Sequence, residues 1–189
     1  MSERCPWCGT DPVYVRYHDT EWGVPLRDPH ALWENLVLEG FQAGLSWLTI
    51  LRKRDTFRSA FAGFDPVAVA AFGPQDVARL LGDAGIVRHR GKIEGAIASA
   101  RAFLALEEGD GFVPFVWGFV NGRPVQNRPA TLSDLPGAPP VAVALSKALK
   151  VRGFAFCGPS ITYAFMQASG LVNDHLVTCP RHAAVAAMA

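Results

Sequence analysis

Apolar residues recur at helical spacing along most of the chain and almost nowhere in strict alternation. Over "HALWENLVLEGFQAGLSWLTILRKRDTFRSAFAGF", Leu32, Leu36, Glu39 and Ala43 fall on one helical face. Asp28-Pro29 can cap its start, and Gly40 and Gly44 predict a bend or a second helix from near Leu45. Asp65-Pro66 opens a short helix, and Pro74-Gln75-Asp76 opens another that Gly85 stops. A long amphipathic helix follows from Gly91 to Gly109, and the apolar run "FVPFVWGFV" suits strand or helix, with Pro114 and the helical surroundings favouring a short helix. "NGRPVQNRPATLSDLPGAPP" is a loop by its Pro, Asn and Gly content, and "VAVALSKALKVRG" and "SITYAFMQASG" are two further helices. The pattern predicts an all-α fold of eight to ten helices.

The 189 residues, half of them hydrophobic, suffice for one sizeable core, folded as a single domain with two lobes. The net charge of +1 excludes a global basic field but leaves room for a local basic stripe. No secretory pattern opens the chain and no apolar run could span a bilayer, so a cytoplasmic setting without a membrane partner is expected. In that setting four cysteines read as metal ligands or free thiols. Cys5-Pro-Trp-Cys8 has the spacing of half a zinc site, which several of Cys5, Cys8, His18, His175, Cys179 and His182 could complete. Spacing alone would accept Cys5, Cys8, His175 and Cys179. Cys157, between Phe156 and Gly158, reads as a buried apolar thiol.

Two stretches carry candidate chemistry. "DVARLLGDAGIVRHRGKIEGAIASARAF" is a pair of helices joined by a tight turn, about residues 76–105. Gly85 can end the first helix in the left-handed conformation, with Ile86 and Val87 packing between the helices. The turn amides, Gly91 and the start of the second helix would then meet a phosphate, with Arg88, Arg90 and Lys92 adding charge. The same turn serves equally as an ordinary basic corner. Glu39 stands in an apolar turn, where a carboxylate is costly unless it is exposed, bonded or functional. Trp47 lies two helical turns on, and the opening segment supplies further tryptophans and tyrosines. Stacking surfaces plus one carboxylate suit a planar ring. Trp33 and Trp117 read as core.

Together, "YHDTEWGVP", "LEGFQAGLSWLTIL", "DAGIVRHRGKI" and "LSKALKVRGFAFCGPSITYAFMQASGLVNDH" resemble the bacterial DNA-3-methyladenine glycosylase I family, in order from about Arg4 to Cys179. The resemblance implies a helix–hairpin–helix glycosylase that flips 3-methyladenine out of alkylated double-stranded DNA and releases it as the free base. It leaves an abasic site without strand cleavage, and a monomer is expected. The resemblance also implies a structural zinc on Cys5, His18, His175 and Cys179, joining the chain's ends, with Cys8 spare. By loop closure such a tie stabilises by about 4–5 kcal/mol. Glu39 and Tyr17 match the residues that hydrogen-bond the base, with Glu39 the catalytic one. Trp47 matches the stacking residue, and Trp7, Tyr14 and Trp22 match the aromatic wall. Leu45 is a wedge candidate for the gap in the duplex. The family lacks an activated catalytic aspartate, so Asp110 and Asp134 receive no such role.

Overall fold

The structure, a computed structural model, describes residues 3–188. Ten α-helices lie among them: α1 (Pro12–Thr20), α2 (Pro29–Gln42), α3 (Trp47–Ala60), α4 (Pro66–Ala70), α5 (Pro74–Gly82), α6 (Arg90–Glu107), α7 (Phe112–Gly118), α8 (Pro140–Val151), α9 (Pro159–Ala168) and α10 (Pro180–Ala186). Seven of the ten open on proline, whose fixed φ suits the first turn and whose missing N–H costs nothing there. Asp11, Asp28 and Asp65 each precede such a proline and accept amides of the first turn. The Asp-Pro signal thus also marks α1, which the apolar periodicity did not predict. The proline loop contains the two-residue strand β1 (Val125–Gln126), paired in parallel with β2 (Val172–Asn173). That ladder is too short for alternation to reveal, and the fold is all-α.

One contiguous core runs from Leu32 to Val172, with Trp33 and Trp117 fully buried in it. Their indole N–H groups are satisfied by Ser99 Oγ and the Leu26 carbonyl. Helix α2 is central, packing on α3, α6, α7 and α9. The backbone turns at residues 43–46, where Gly44 adopts φ +81° and Ser46 caps α3. Glu39 and Trp47 therefore stand on different helices, and they meet because α3 folds back beside α2 rather than through a shared helical face. Gly40 admits another segment of the chain: a Cβ there would lie 3.2 Å from Phe156 Cβ.

The hairpin joins α5 to α6, with Ile86 buried between them and Val87 packed on the core. Gly85 does not end α5 and is not left-handed. The helix stops at Gly82, and Asp83 Oδ1 accepts the Gly85 amide at 2.7 Å. Glycine is needed here for space, because a Cβ would lie 2.9 Å from that oxygen and 3.0 Å from Thr56 Cβ. His89, which the sequence reading overlooked, caps α6 by accepting the Lys92 amide.

Candidate active site and metal centre

Cavity and metal cluster are built from the same short segments. Cys5, His18, His175 and Cys179 are all buried, and one ligand atom from each lies within 4.8 Å of the others. Cys5 Sγ and Cys179 Sγ stand 3.6 and 3.8 Å from His175 Nδ1, and Cys179 Sγ stands 3.6 Å from His18 Nε2. Tetrahedral zinc with bonds of ~2.0–2.3 Å separates neighbouring donors by about 3.3–3.8 Å, so the set fits. Burial pulls His175 down to about 4 and lowers His18, which favours the neutral, ligating form of both rings. Burial also pushes the Cys5 thiol up to about 12, so a thiolate becomes favourable only with a cation among these atoms. Each ring is oriented through its other nitrogen: His18 Nδ1 by Asp19 at 2.8 Å, and His175 Nε2 by the Trp22 carbonyl at 3.0 Å. These four residues are a closed, structural zinc site that ties the two ends of the chain.

Cys8 and His182 stand outside the cluster. Cys8 is buried with its Sγ 3.2 Å from the Cys5 carbonyl, and His182 Nε2 meets the Asn127 carbonyl at 2.8 Å. Replacing Cys8 by serine therefore leaves one zinc per chain by atomic absorption, whereas His18→Ala loses it. Cys157 is fully buried beside the Phe154 carbonyl, as an apolar thiol should be.

The ligands bring aromatic neighbours with them. Trp7 follows Cys5, Tyr17 precedes His18, and Trp22 is held by His175. With Tyr14 and Trp47 these rings pack at centroid separations of 4.8–6.5 Å. They line a cavity of about 230 Å³ together with Glu39 and Gln42. Leu135, Ala164 and Gln167 complete it, none of them singled out by the sequence. Glu39 is 4 % exposed, makes no hydrogen bond to another described residue, and is pushed up to about 8 by burial alone. Its charge in turn helps raise Tyr14 and Tyr17 above the ordinary phenol range, after burial. An unpartnered buried carboxyl at an aromatic cavity costs stability and is explained by a ligand.

Beside the cavity, Leu45 is 41 % exposed at the tip of the α2–α3 turn, where Gln42 Nε2 donates to its carbonyl at 2.9 Å. Arg88 and Arg90 are exposed on the hairpin, Arg90 in a 3.3 Å contact with Glu94. Gly91 lies in the first turn of α6. Lys92 is not an exposed basic group. It is buried, and its Nζ donates to the Phe41 and Ala43 carbonyls at 2.9 and 2.6 Å. Position in a helical first turn suggested solvent, but the end of α2 needs a donor for its orphan carbonyls. Lys92→Met should cost about 2–3 kcal/mol in urea unfolding, because charged hydrogen bonds to buried acceptors are lost. Asp134 accepts the Ala130 and Thr131 amides as a turn cap.

The methyladenine glycosylase family model matches residues 7–182. The chain belongs to the methyladenine glycosylase family. DNA-3-methyladenine glycosylase 1 of Escherichia coli (strain K12) is 56% identical over 178 residues, 94% of this chain and 95% of that one. A crystal structure of 3-methyladenine DNA glycosylase I superposes with a TM-score of 0.93 at 52% identity, covering 94% and 98% of the two chains. Another crystal structure, of a 3-methyladenine DNA glycosylase I variant in complex with 3-methyladenine, reaches a TM-score of 0.91 at 42% identity, covering 95% and 97%. In this glycosylase family member the hairpin, the zinc tie and the aromatic cavity are thus parts of one fold.

Proposed function

We infer that this protein is a monofunctional DNA glycosylase that extrudes 3-methyladenine from alkylated double-stranded DNA and hydrolyses its bond to the sugar. The observation that carries the reading is Glu39, a buried and unpartnered carboxyl at an aromatic cavity in a methyladenine glycosylase. A methyl group on adenine N3 makes the ring cationic while it is bonded to the sugar. When the C1′–N9 bond breaks, its electron pair passes to the ring, which leaves as neutral 3-methyladenine. Water then bonds to C1′ and sheds a proton to solvent, leaving an abasic site.

The protein's part is to hold the lesion and reject ordinary purines. Trp47 stacks on the electron-poor ring, adding cation–π attraction to apolar burial. Tyr17 and Glu39 hydrogen-bond the base, and Trp7, Tyr14 and Trp22 exclude water around it. A cationic ring draws Glu39 to its ionised form, and the pair stabilises the positive charge that a neutral adenine lacks. Leu45 fills the gap in the duplex. Gly85, Arg88, Arg90 and Gly91 meet the backbone phosphates, while Lys92 braces the turn that carries Leu45. Among the described residues no lysine lines the cavity, so Schiff-base formation and strand cleavage are not expected. The protein acts as a monomer in the cytoplasm and releases the free base.

Methylated duplex incubated with the protein should stay intact on a denaturing gel until alkali cleaves its abasic sites. Free 3-methyladenine should quench tryptophan emission. Breaks without alkali treatment would contradict the monofunctional reading.

A further inference from the structure

Asp174 is buried to 1 % exposure beside the zinc ligand His175, and three side chains converge on its carboxylate. Asn127 Nδ2 donates to Oδ1 at 2.6 Å, while Tyr163 Oη and Gln167 Nε2 donate to Oδ2 at 2.5 and 2.7 Å. Tyr163 and Gln167 are one turn apart on α9, so both reach the same oxygen. A carboxylate only accepts, which fixes the Gln167 amide with its nitrogen toward Asp174. Gln167 also lines the cavity that holds Glu39, and its Oε1 accepts no hydrogen bond from another described residue. With Nε2 committed to Asp174, the oxygen is the amide atom left for a ligand in that cavity.

We propose that Gln167, aligned by Asp174, is a specificity-determining residue whose amide oxygen accepts from the 6-amino group of the extruded base and disfavours a 6-oxo purine. This rests on the reading of the cavity as the base site. 3-Methyladenine carries an N–H donor at C6, which meets Oε1. 3-Methylguanine carries a carbonyl there, and two acceptors would face each other with neither satisfied. Asp174 touches no base on this account. It is a positioning residue that prevents the amide from turning over. Tyr163 and Asn127 hold Asp174 in turn.

The test measures 3-methyladenine and 3-methylguanine released from the same methylated DNA at limiting enzyme. In Gln167→Leu the preference for 3-methyladenine should fall about tenfold, through slower 3-methyladenine release rather than a common loss. In Asp174→Asn the new amide can donate to Gln167 Oε1, turning its nitrogen into the cavity, and the preference should fall again. Zinc content and circular dichroism identify a misfolded variant, and Gln167→Leu decides alone if Asp174→Asn does not fold. An unchanged preference, or equal loss of both bases, overturns the assignment. Failure of the wild-type protein to release 3-methyladenine would instead overturn the base-site reading itself.

Discussion

Glu39→Gln lowers 3-methyladenine release at limiting DNA by about 10²-fold while leaving the protein more stable. Both effects follow from one fact: burial holds this carboxyl at about 8, far above the usual carboxylate range. A folded-state pKa above the unfolded value means that folding favours the protonated form. The stability from that form is complete below about pH 4 and is lost as pH rises through 8. Glutamine has no such proton to lose, so the stabilisation by substitution should grow as pH rises from about 4 and level off above 8 in urea titrations. Activity should move the other way. In the wild-type protein, release at limiting DNA should rise toward pH 8 and level off above it, as the empty cavity reaches the ionised form that a cationic ring prefers. The profile of Glu39→Gln should be flat over that range. Tyr14 and Tyr17, the titratable groups facing Glu39, remain protonated throughout, because burial and the Glu39 charge raise both. Equal pH profiles for the two proteins would exclude Glu39 as the group that answers to the lesion's charge.

Removing zinc should cost a large fraction of the fold's stability, about a third or more. Closing a loop from Cys5 to Cys179 restricts almost the whole unfolded chain, a constraint of about 5 kcal/mol by the loop-closure argument. Typical domains have about 5–15 kcal/mol in total. His18→Ala, or a strong chelator on the wild-type protein, should lower Tm by roughly 10–20 °C in calorimetry. Base binding should weaken in step, because Trp7, Tyr17 and Trp22 are placed by the ligands they adjoin or bond. An unchanged Tm after complete loss of zinc would show that the tie is redundant.

Most helices could be read from the chain because proline, aspartate and the 3.6-residue apolar period all mark them locally. α1 was missed because its apolar face is aromatic and half spent on the cavity, so the period is weak, although Asp11-Pro12 marked its start. The zinc set could not be chosen by spacing, since Cys8 sits where a ligand commonly would. Chain geometry excludes it by aiming its sulfur at a carbonyl. The resemblance supplied His18 in its place, and the four-atom cluster agrees. Glu39 stood out as a carboxyl in apolar company, a local signal. Lys92, Gln167 and Asp174 had no such mark. A lysine under a helix end and a glutamine aligned by a carboxylate seven residues away are made by tertiary packing, and only the folded chain reveals them.

Chromatographic identification of the bases that the purified, zinc-loaded protein releases from DNA methylated on its purines decides whether it is a 3-methyladenine glycosylase acting through Glu39. That activity requires a 3-methyladenine peak that grows with enzyme and time and nearly vanishes with Glu39→Gln. Release of unmodified adenine, or no base at all from DNA shown to carry the lesion, would contradict it.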